Sequence, residues 1–229
     1  MSAAIWTIVV AGGSGERFGA AKQFVELAGR SVLTRAVDAA RPSSTGIIVV
    51  VPAATVAEVN AASGVGVVVV PGGATRAASV RAGLAAVPAD AGIVVVHDAA
   101  RPLASPSLFR AVIEAVARGA DGAIPGVAVA DTIKRVEGTQ VVATLDRSEL
   151  VAVQTPQAFR ADVLRRAHAG EPEATDDAGL LERIGFVVAV VPGESRNIKL
   201  TSVGDLALLA FLCDDPGVEK SSSDEPVRA

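Results

Sequence analysis

Residues 5–22 read IWTIVVAGGSGERFGAAK, an apolar run that breaks into a glycine-rich loop followed at once by Arg17 and Lys22. A continuous run of valine and isoleucine is the pattern of a strand buried on both faces, which belongs to a parallel sheet. Small residues at the end of such a strand expose backbone N–H groups, and two cations beside them make a cradle for a polyphosphate. Spacing excludes two familiar cradles. A dinucleotide fingerprint starting at Gly13 and Gly15 needs a third glycine at position 18, where the chain has Phe18, and a Walker loop needs Gly-Lys-Ser/Thr. For this loop taken alone, a plain strand-to-helix turn with solvated charges stays open.

Working outward, similar apolar runs recur at 47–51, 65–70, 93–96, 123–129 and 186–191, and helix-like segments lie between several of them at 31–40, 75–86, 105–118 and 161–168. Strand alternating with helix predicts an α/β fold, a mostly parallel sheet flanked by helices on both sides. Ser105 and Pro106 read as the cap and first turn of one helix, and Gly119 as its stop. Residues 131–154 break the rhythm by alternating polar and apolar positions. Glu137-Gly138 reads as a turn between strands at 132–136 and 140–144, giving a β-arm over about 130–154. A two-stranded ribbon is marginal alone, so the arm needs the body or a partner subunit to pack on. Residues 1–215 are expected to form one domain, and 216–229, rich in Ser, Glu, Asp and Pro, a disordered tail.

Composition limits the function classes. Half of the 229 residues are hydrophobic and 20% are charged, ample for a sizeable core. A net charge of −4 argues against a nucleic-acid or acidic-membrane surface, so any anion site is local. The single Cys213 leaves no disulfide framework or cysteine-rich metal site and reads as a buried free thiol in a reducing compartment. No basic leader precedes the first apolar run, and no apolar run reaches the ~20 residues that span a bilayer, so the expected location is cytoplasmic.

Function in an open α/β sheet gathers beyond the carboxyl ends of the strands. The third run ends in Pro71-Gly72-Gly73-Ala74-Thr75-Arg76 with Ser79 just beyond, and the fourth in His97-Asp98-Ala99-Ala100-Arg101-Pro102. Asp98 is no helix cap if the helix starts near Ser105, and one carboxylate suffices beside a triphosphate-bound Mg²⁺, which keeps phosphate and water as its other ligands. Thr132, Lys134 and Arg147 on the arm, and Lys199 after the last run, are further candidates, with solvated surface charge as the competing reading of each cation.

In order along the chain, Gly13-Ser14-Gly15-Glu16-Arg17 with Lys22-Gln23-Phe24, Gly72-Gly73 with Arg76 and Ser79, His97 to Pro102, Asp131-Thr132-Ile133-Lys134, Gln154-Thr155-Pro156-Gln157-Ala158-Phe159, Thr175-Asp176-Asp177 and Asn197-Ile198-Lys199-Leu200-Thr201 closely resemble the 2-C-methyl-D-erythritol 4-phosphate cytidylyltransferases of the non-mevalonate isoprenoid pathway. The resemblance covers about residues 4–212. It implies a Rossmann-like nucleotidyltransferase fold, a homodimer with interlocking β-arms, and Mg²⁺-dependent transfer of CMP from CTP to the sugar phosphate. Carried over by position, it implies that Ala11, Gly12, Gly13 and Gly15 hold CTP through backbone groups and that Gly73 and Ser79 read the cytosine. Arg17 and Lys22 would stabilise charge on the α-phosphate. Asp98 would lie near metal and substrate, Ala99 at the ribose and Arg101 at the sugar phosphate, while Lys199 would touch both substrates. Thr132 and Arg147 would complete the neighbouring subunit's site.

A phosphate monoester is already an anionic nucleophile, so such a site needs no strong base and mainly holds two repelling anions together. His97 is accordingly read as orienting its turn and His168 as a helix surface residue, neither moving a proton. The chain departs from the family in opening its loop with Val10-Ala11-Gly12-Gly13 in place of Pro-Ala-Ala-Gly, in a shorter spacing from Arg17 to Lys22, and in Ala74 where some members carry Asp. Three rivals remain at this stage: a pentitol (ribitol) phosphate cytidylyltransferase, a nucleotide-binding module without turnover, and an NAD-dependent oxidoreductase.

Overall fold

A computed structural model describes residues 3–12 and 22–214. Gly13, Gly15 and Arg17, the side chain of Lys22, and the tail expected at 216–229 lie outside the described residues. The elements in order are β1 (Ile5–Val10), β2 (Glu26–Leu27), β3 (Arg30–Ser31), α1 (Val32–Ala40), β4 (Gly46–Val51), α2 (Val56–Ala62), β5 (Val67–Pro71), α3 (Arg76–Ala86), β6 (Ile93–Asp98), α4 (Pro106–Ala117), β7 (Gly122–Ala128), β8 (Lys134–Glu137), β9 (Gln140–Thr144), β10 (Val151–Val153), β11 (Gln157–Arg160), α5 (Ala161–Ala167), α6 (Asp177–Arg183), β12 (Val188–Pro192) and α7 (Val203–Asp214).

β5, β4, β1 and β6 run parallel side by side, and β12 runs parallel to β7. Between these parallel groups β11 is inserted antiparallel to both β6 and β7. Gly126 of β7 pairs with Val153 of β10 and with Pro192 of β12, while Ala123 pairs with Ala158 of β11 and Ala189 of β12. β10 and β11 therefore follow one another along the same side of β7, with β12 on its other side. The sheet is mostly parallel, as expected, and helices cover both faces.

Side chains alternate across each strand, and that alternation sorts the core into two layers. Val9, Val49 and Val95 face α1 and α4, where Phe109 and Val112 are fully buried. Ile8, Ile48, Val94 and Val96 face the opposite way, against Val80 of α3, Leu164 of α5 and Leu181 of α6. A third, smaller cluster of Leu27, Val32, Ala100, Leu200 and Leu209 anchors α7 beside the carboxyl end of the sheet, and the free Cys213 is only partly buried against it. Truncating Phe109 to alanine would cost about 3–5 kcal/mol, because a rigid core cannot collapse onto the hole.

Capping follows the sequence. Ser105 accepts from the Leu108 amide, Pro106 opens α4, and Gly119 closes it at φ +116°. The strand expected from Val65 starts instead at Val67, since Gly66 takes φ +82° and leaves Val65 96% exposed. The arm is a hairpin as expected, but β8 begins at Lys134 and Glu137 pairs with Gln140, which moves the turn to Gly138-Thr139. The sequence reading missed α2, α6, α7 and the short strands β2, β3, β10 and β11.

The chain leaves β1 towards β4 on one side and reaches β6 on the other. This reversal opens a crevice at the carboxyl ends of β1 and β6, where ligands gather in such sheets. Ala11 and Gly12 line one lip and Asp98 and Ala99 the other, joined by the Ala99 amide donating to the Val10 carbonyl at 3.0 Å.

Candidate active site

Two adjoining cavities occupy the crevice. The first, about 450 Å³, is lined by Ala11, Gly12, Gly73, Ser79, Asp98 and Ala99. The second, about 440 Å³, is lined by Arg101, Gln154, Thr155, Gln157, Thr175 and Asp176. Arg76, Asp98 and Lys199 line both, so an ionic cluster stands at their junction.

Small residues keep the first cavity open. A Cβ on Gly73 would sit 2.5 Å from the Ala78 Cβ, and one on Gly12 would sit 3.0 Å from Ser79 Oγ. Ser79, 2% exposed, accepts the Gly73 amide at 3.2 Å and thereby pins the glycine turn to the first turns of α3. Thr75 caps that helix by accepting the Ala78 amide.

At the junction the two oxygens of Asp98 are divided. Oδ1 accepts from Arg76 Nε at 3.2 Å and Oδ2 from Lys199 Nζ at 2.7 Å. Burial pushes the Asp98 carboxyl up, but the facing charges of Arg76 and Lys199 outweigh it and hold the group well below the usual carboxylate range. Asp98 is thus ionised throughout the ordinary pH range.

Lys199 reaches this position through a strap of hydrogen bonds. The Leu200 amide donates to the Ala100 carbonyl at 2.8 Å. Asn197, fully buried, donates to Gln154 Oε1 and to the Thr155 carbonyl, and its own carbonyl accepts Arg101 Nη1 at 2.7 Å. Gln154 Nε2 in turn donates to the Glu194 carbonyl. The motifs at 97–102, 154–159 and 197–201 therefore meet in one network.

His97 is fully buried against Phe109, with ring centroids 5.1 Å apart. Burial pushes its pKa down to about 4, against a smaller opposing pull from Asp98, so the ring is neutral near pH 7. A carbonyl can only accept, so Nε2 carries the proton to the Arg101 carbonyl, 3.2 Å away. Nδ1 is then the acceptor for the Thr155 hydroxyl at 3.1 Å, while that hydroxyl accepts the Asp98 amide at 3.0 Å. His97 orients the turn, as expected from sequence.

His168 differs from its expected place on a helix surface. It is 5% exposed, and its Nε2 donates to Asp177 Oδ1 at 3.0 Å. Thr155, Gln154, Asp177 and Arg76, which fall within the sequence motifs but carry no role assigned from sequence, also take positions at or behind the site. The arm residues are not brought into either cavity: Thr132 and Arg147 are exposed, and Arg147 Nη1 donates to the Ala130 carbonyl. Among the described residues there is no group of three or more metal-ligating side chains, and no helix is long and apolar enough to cross a membrane.

A family model described as IspD, 2-C-methyl-D-erythritol 4-phosphate cytidylyltransferase, matches residues 5–214. The chain belongs to this family. Among curated relatives of that name, one from Saccharopolyspora erythraea is 48% identical over 213 residues, covering 88% of this chain and 95% of its own. Another, from Rubrobacter xylanophilus, is 45% identical over 217 residues, covering 91% and 94%. The crystal structure of 4-diphosphocytidyl-2C-methyl-D-erythritol synthase from Anaerococcus prevotii superposes with a TM-score of 0.82 at 30% identity, covering 93% of this chain and 99% of the other. The fold is therefore the Rossmann-like nucleotidyltransferase fold, and the chain is an enzyme, a cytidylyltransferase of the methylerythritol phosphate pathway. Nothing in these relationships favours a pentitol phosphate acceptor, a binding module without turnover or an oxidoreductase. Nucleotidyltransferases of the family are generally metal-dependent.

Proposed function

We propose that the first cavity binds CTP and the second 2-C-methyl-D-erythritol 4-phosphate, and that the enzyme joins them by in-line attack. A phosphate oxygen of the acceptor forms a bond to the α-phosphorus of CTP as the bond to the β-phosphate oxygen breaks. CDP-methylerythritol and pyrophosphate result. The observation that carries this reading is the sharing of Arg76, Asp98 and Lys199 by both cavities. Cations at that junction screen two anions that otherwise repel, and their partial burial strengthens the effect.

In this reading Ala11, Gly12, Gly13 and Gly15 hold the nucleotide through backbone groups, Gly73 and Ser79 meet the cytosine, and Ala99 the ribose. Arg17 and Lys22 stabilise charge on the α-phosphate, Arg101 binds the acceptor phosphate, and Lys199 touches both substrates. Asp98 fits a magnesium ion brought in by the triphosphate. Each carboxylate oxygen has two lone pairs, Arg76 and Lys199 each engage one oxygen, and such an ion asks for few protein ligands. The ion would neutralise phosphate charge there.

Thr132 and Arg147 act in the neighbouring subunit of a homodimer, whose arms exchange. Support comes from Thr132 and Arg147 lining neither cavity of their own chain and from the arm's exposed Val136, Val141 and Leu145, apolar surface that a partner would cover. The working unit is a single domain at 1–215, acting in the cytoplasm. The test is pyrophosphate release with Mg²⁺ and CTP, comparing methylerythritol phosphate, ribitol phosphate and no acceptor. Turnover with methylerythritol phosphate alone is expected, and turnover with ribitol phosphate alone would overturn the acceptor assignment.

A further inference from the structure

A line of alternating hydrogen-bond donors and acceptors runs from the cavity junction into the interior. Lys199 Nζ meets Asp98 Oδ2 at 2.7 Å, Asp98 Oδ1 meets Arg76 Nε at 3.2 Å, Arg76 Nη1 meets Asp177 Oδ2 at 2.8 Å, and Asp177 Oδ1 accepts His168 Nε2 at 3.0 Å. The line crosses four parts of the fold: the loop after β12, the end of β6, the start of α3, and the paired ends of α5 and α6. Its inner half is sealed, with side-chain exposures of 1% for Asp177 and 3% for His168.

We propose that Asp177 and His168 are positioning residues for the transfer reaction, holding Arg76 in the wall between the two cavities so that its guanidinium and Asp98 keep one geometry towards both substrates. This rests on the assignment of the two cavities given above. An arginine side chain has many rotamers, and only partners at both ends of the guanidinium select one. Asp98 supplies one partner. Asp98 alone could follow Arg76 or Lys199 as substrates load, whereas Asp177 is immobilised as the first residue of α6 behind the Asp176 cap. His168 occupies the remaining oxygen of Asp177, which fixes that carboxylate in turn. The imidazole has no other partner: its Nδ1 is buried without a hydrogen bond, an arrangement that costs stability and that a purely space-filling residue would avoid.

The same region has a second attachment that does not depend on His168. Glu173 accepts from Thr75 Oγ1 at 2.9 Å and from Arg81 at 3.3 Å, and Arg81 also donates to the Pro172 carbonyl at 3.0 Å. α3 therefore stays docked on the segment before α6 when the His168 contact is removed, so positioning and folding can be separated.

The experiment compares His168→Leu with His168→Gln in the full-length enzyme, measuring kcat and both KM values with CTP, methylerythritol phosphate and Mg²⁺ well below each variant's melting temperature. Loss of the contact in His168→Leu is expected to lower kcat by about tenfold, inside the ~10²-fold that a small misplacement can cost, with KM for CTP within about twofold. His168→Gln, which restores an N–H donor, is expected to recover most of the kcat. An Arg76→Met background should abolish the difference between the Leu and Gln variants, since both act through the guanidinium. Should the Leu variant not fold, Asp177→Asn, which keeps the shape and removes the charge facing Arg76, takes the same measurements. Wild-type kcat in a folded Leu or Asn variant, or a Leu–Gln difference that persists without Arg76, would overturn the proposal. An inactive wild-type enzyme would instead count against the transfer reaction itself.

Discussion

Asp98 Oδ2 accepts a hydrogen bond from Lys199 Nζ at 2.7 Å across 101 residues of sequence. The contact joins the end of β6 to the loop after β12, and the Gln154–Asn197 strap holds that loop in place. A carboxylate that stood alone beside two phosphorylated substrates would repel both. Paired with Lys199 and Arg76, it holds two cations at the junction of the two cavities, where the proposed reaction brings the substrates together.

Replacing Asp98 by Asn keeps the shape and removes the anchor's charge. The expected outcome is a folded enzyme whose kcat/KM falls on the order of 10²-fold, comparable to removing one preorganised electrostatic contact. Steady-state kinetics at saturating and limiting Mg²⁺ check this, and turnover close to wild type would remove Asp98 from the site.

Gly73→Ala is expected to act on the nucleotide. Its Cβ would approach the Ala78 Cβ to 2.5 Å, so the turn between β5 and α3 must shift and release the Ser79 contact. Overpacking of this kind costs about 1–3 kcal/mol. KM for CTP should rise several-fold with a smaller effect on KM for the acceptor, and calorimetric binding of CTP reads the difference directly. Equal effects on both substrates would argue that Gly73 is structural alone.

Acid should weaken the fold through His97. The unfolded chain takes up this proton near pH 6.5, whereas the buried ring takes it up only at about pH 4, so between these values the unfolded state binds more protons and stability rises with pH. On acidification the contribution is lost from about pH 6.5 downwards and is gone by about pH 4, on the order of 3 kcal/mol in all. Asp98, held below its unfolded value, acts in the same direction at lower pH. Urea unfolding across pH 4–7 should show this slope, and His97→Gln should flatten it. An unchanged slope in that variant would place the titration elsewhere.

Arm exchange predicts complementation. A dimer made of one Arg147→Ala chain and one Lys22→Ala chain keeps one intact site if Arg147 serves its partner, and none if it serves its own chain. Randomly mixed chains should therefore recover about a quarter of wild-type activity from two inactive parents. No recovery in verified mixed dimers would confine Arg147 to its own subunit.

Much of the architecture was legible because buried parallel strands announce themselves. The run at 5–10 became β1 without adjustment, and Ser105, Pro106 and Gly119 bounded α4 as expected. Short elements were not legible: β10 and β11 have three and four residues, too few for a period to register, and they exist because the chain packs back against β7 and β6. α7 was missed for another reason, its VGDLALLAFLCD having no polar face to mark a helical period. His168 was misplaced because a histidine at the end of a short helix looks like a surface residue until α6 folds over it.

By itself the sequence determined the strand-and-helix rhythm, the glycine turns at the strand ends and the motif order that names the family, since all of these are local patterns of burial and backbone freedom. Only the tertiary structure decided which charges meet. Lys199 and Asp98, and Arg76 and Asp177, are each 101 residues apart along the chain, and no periodicity records their pairing, nor that of His168 with Asp177 across the turn between two helices. It arises where the sheet reverses direction and two helix ends close behind it, and burial there makes each polar side chain depend on its neighbour.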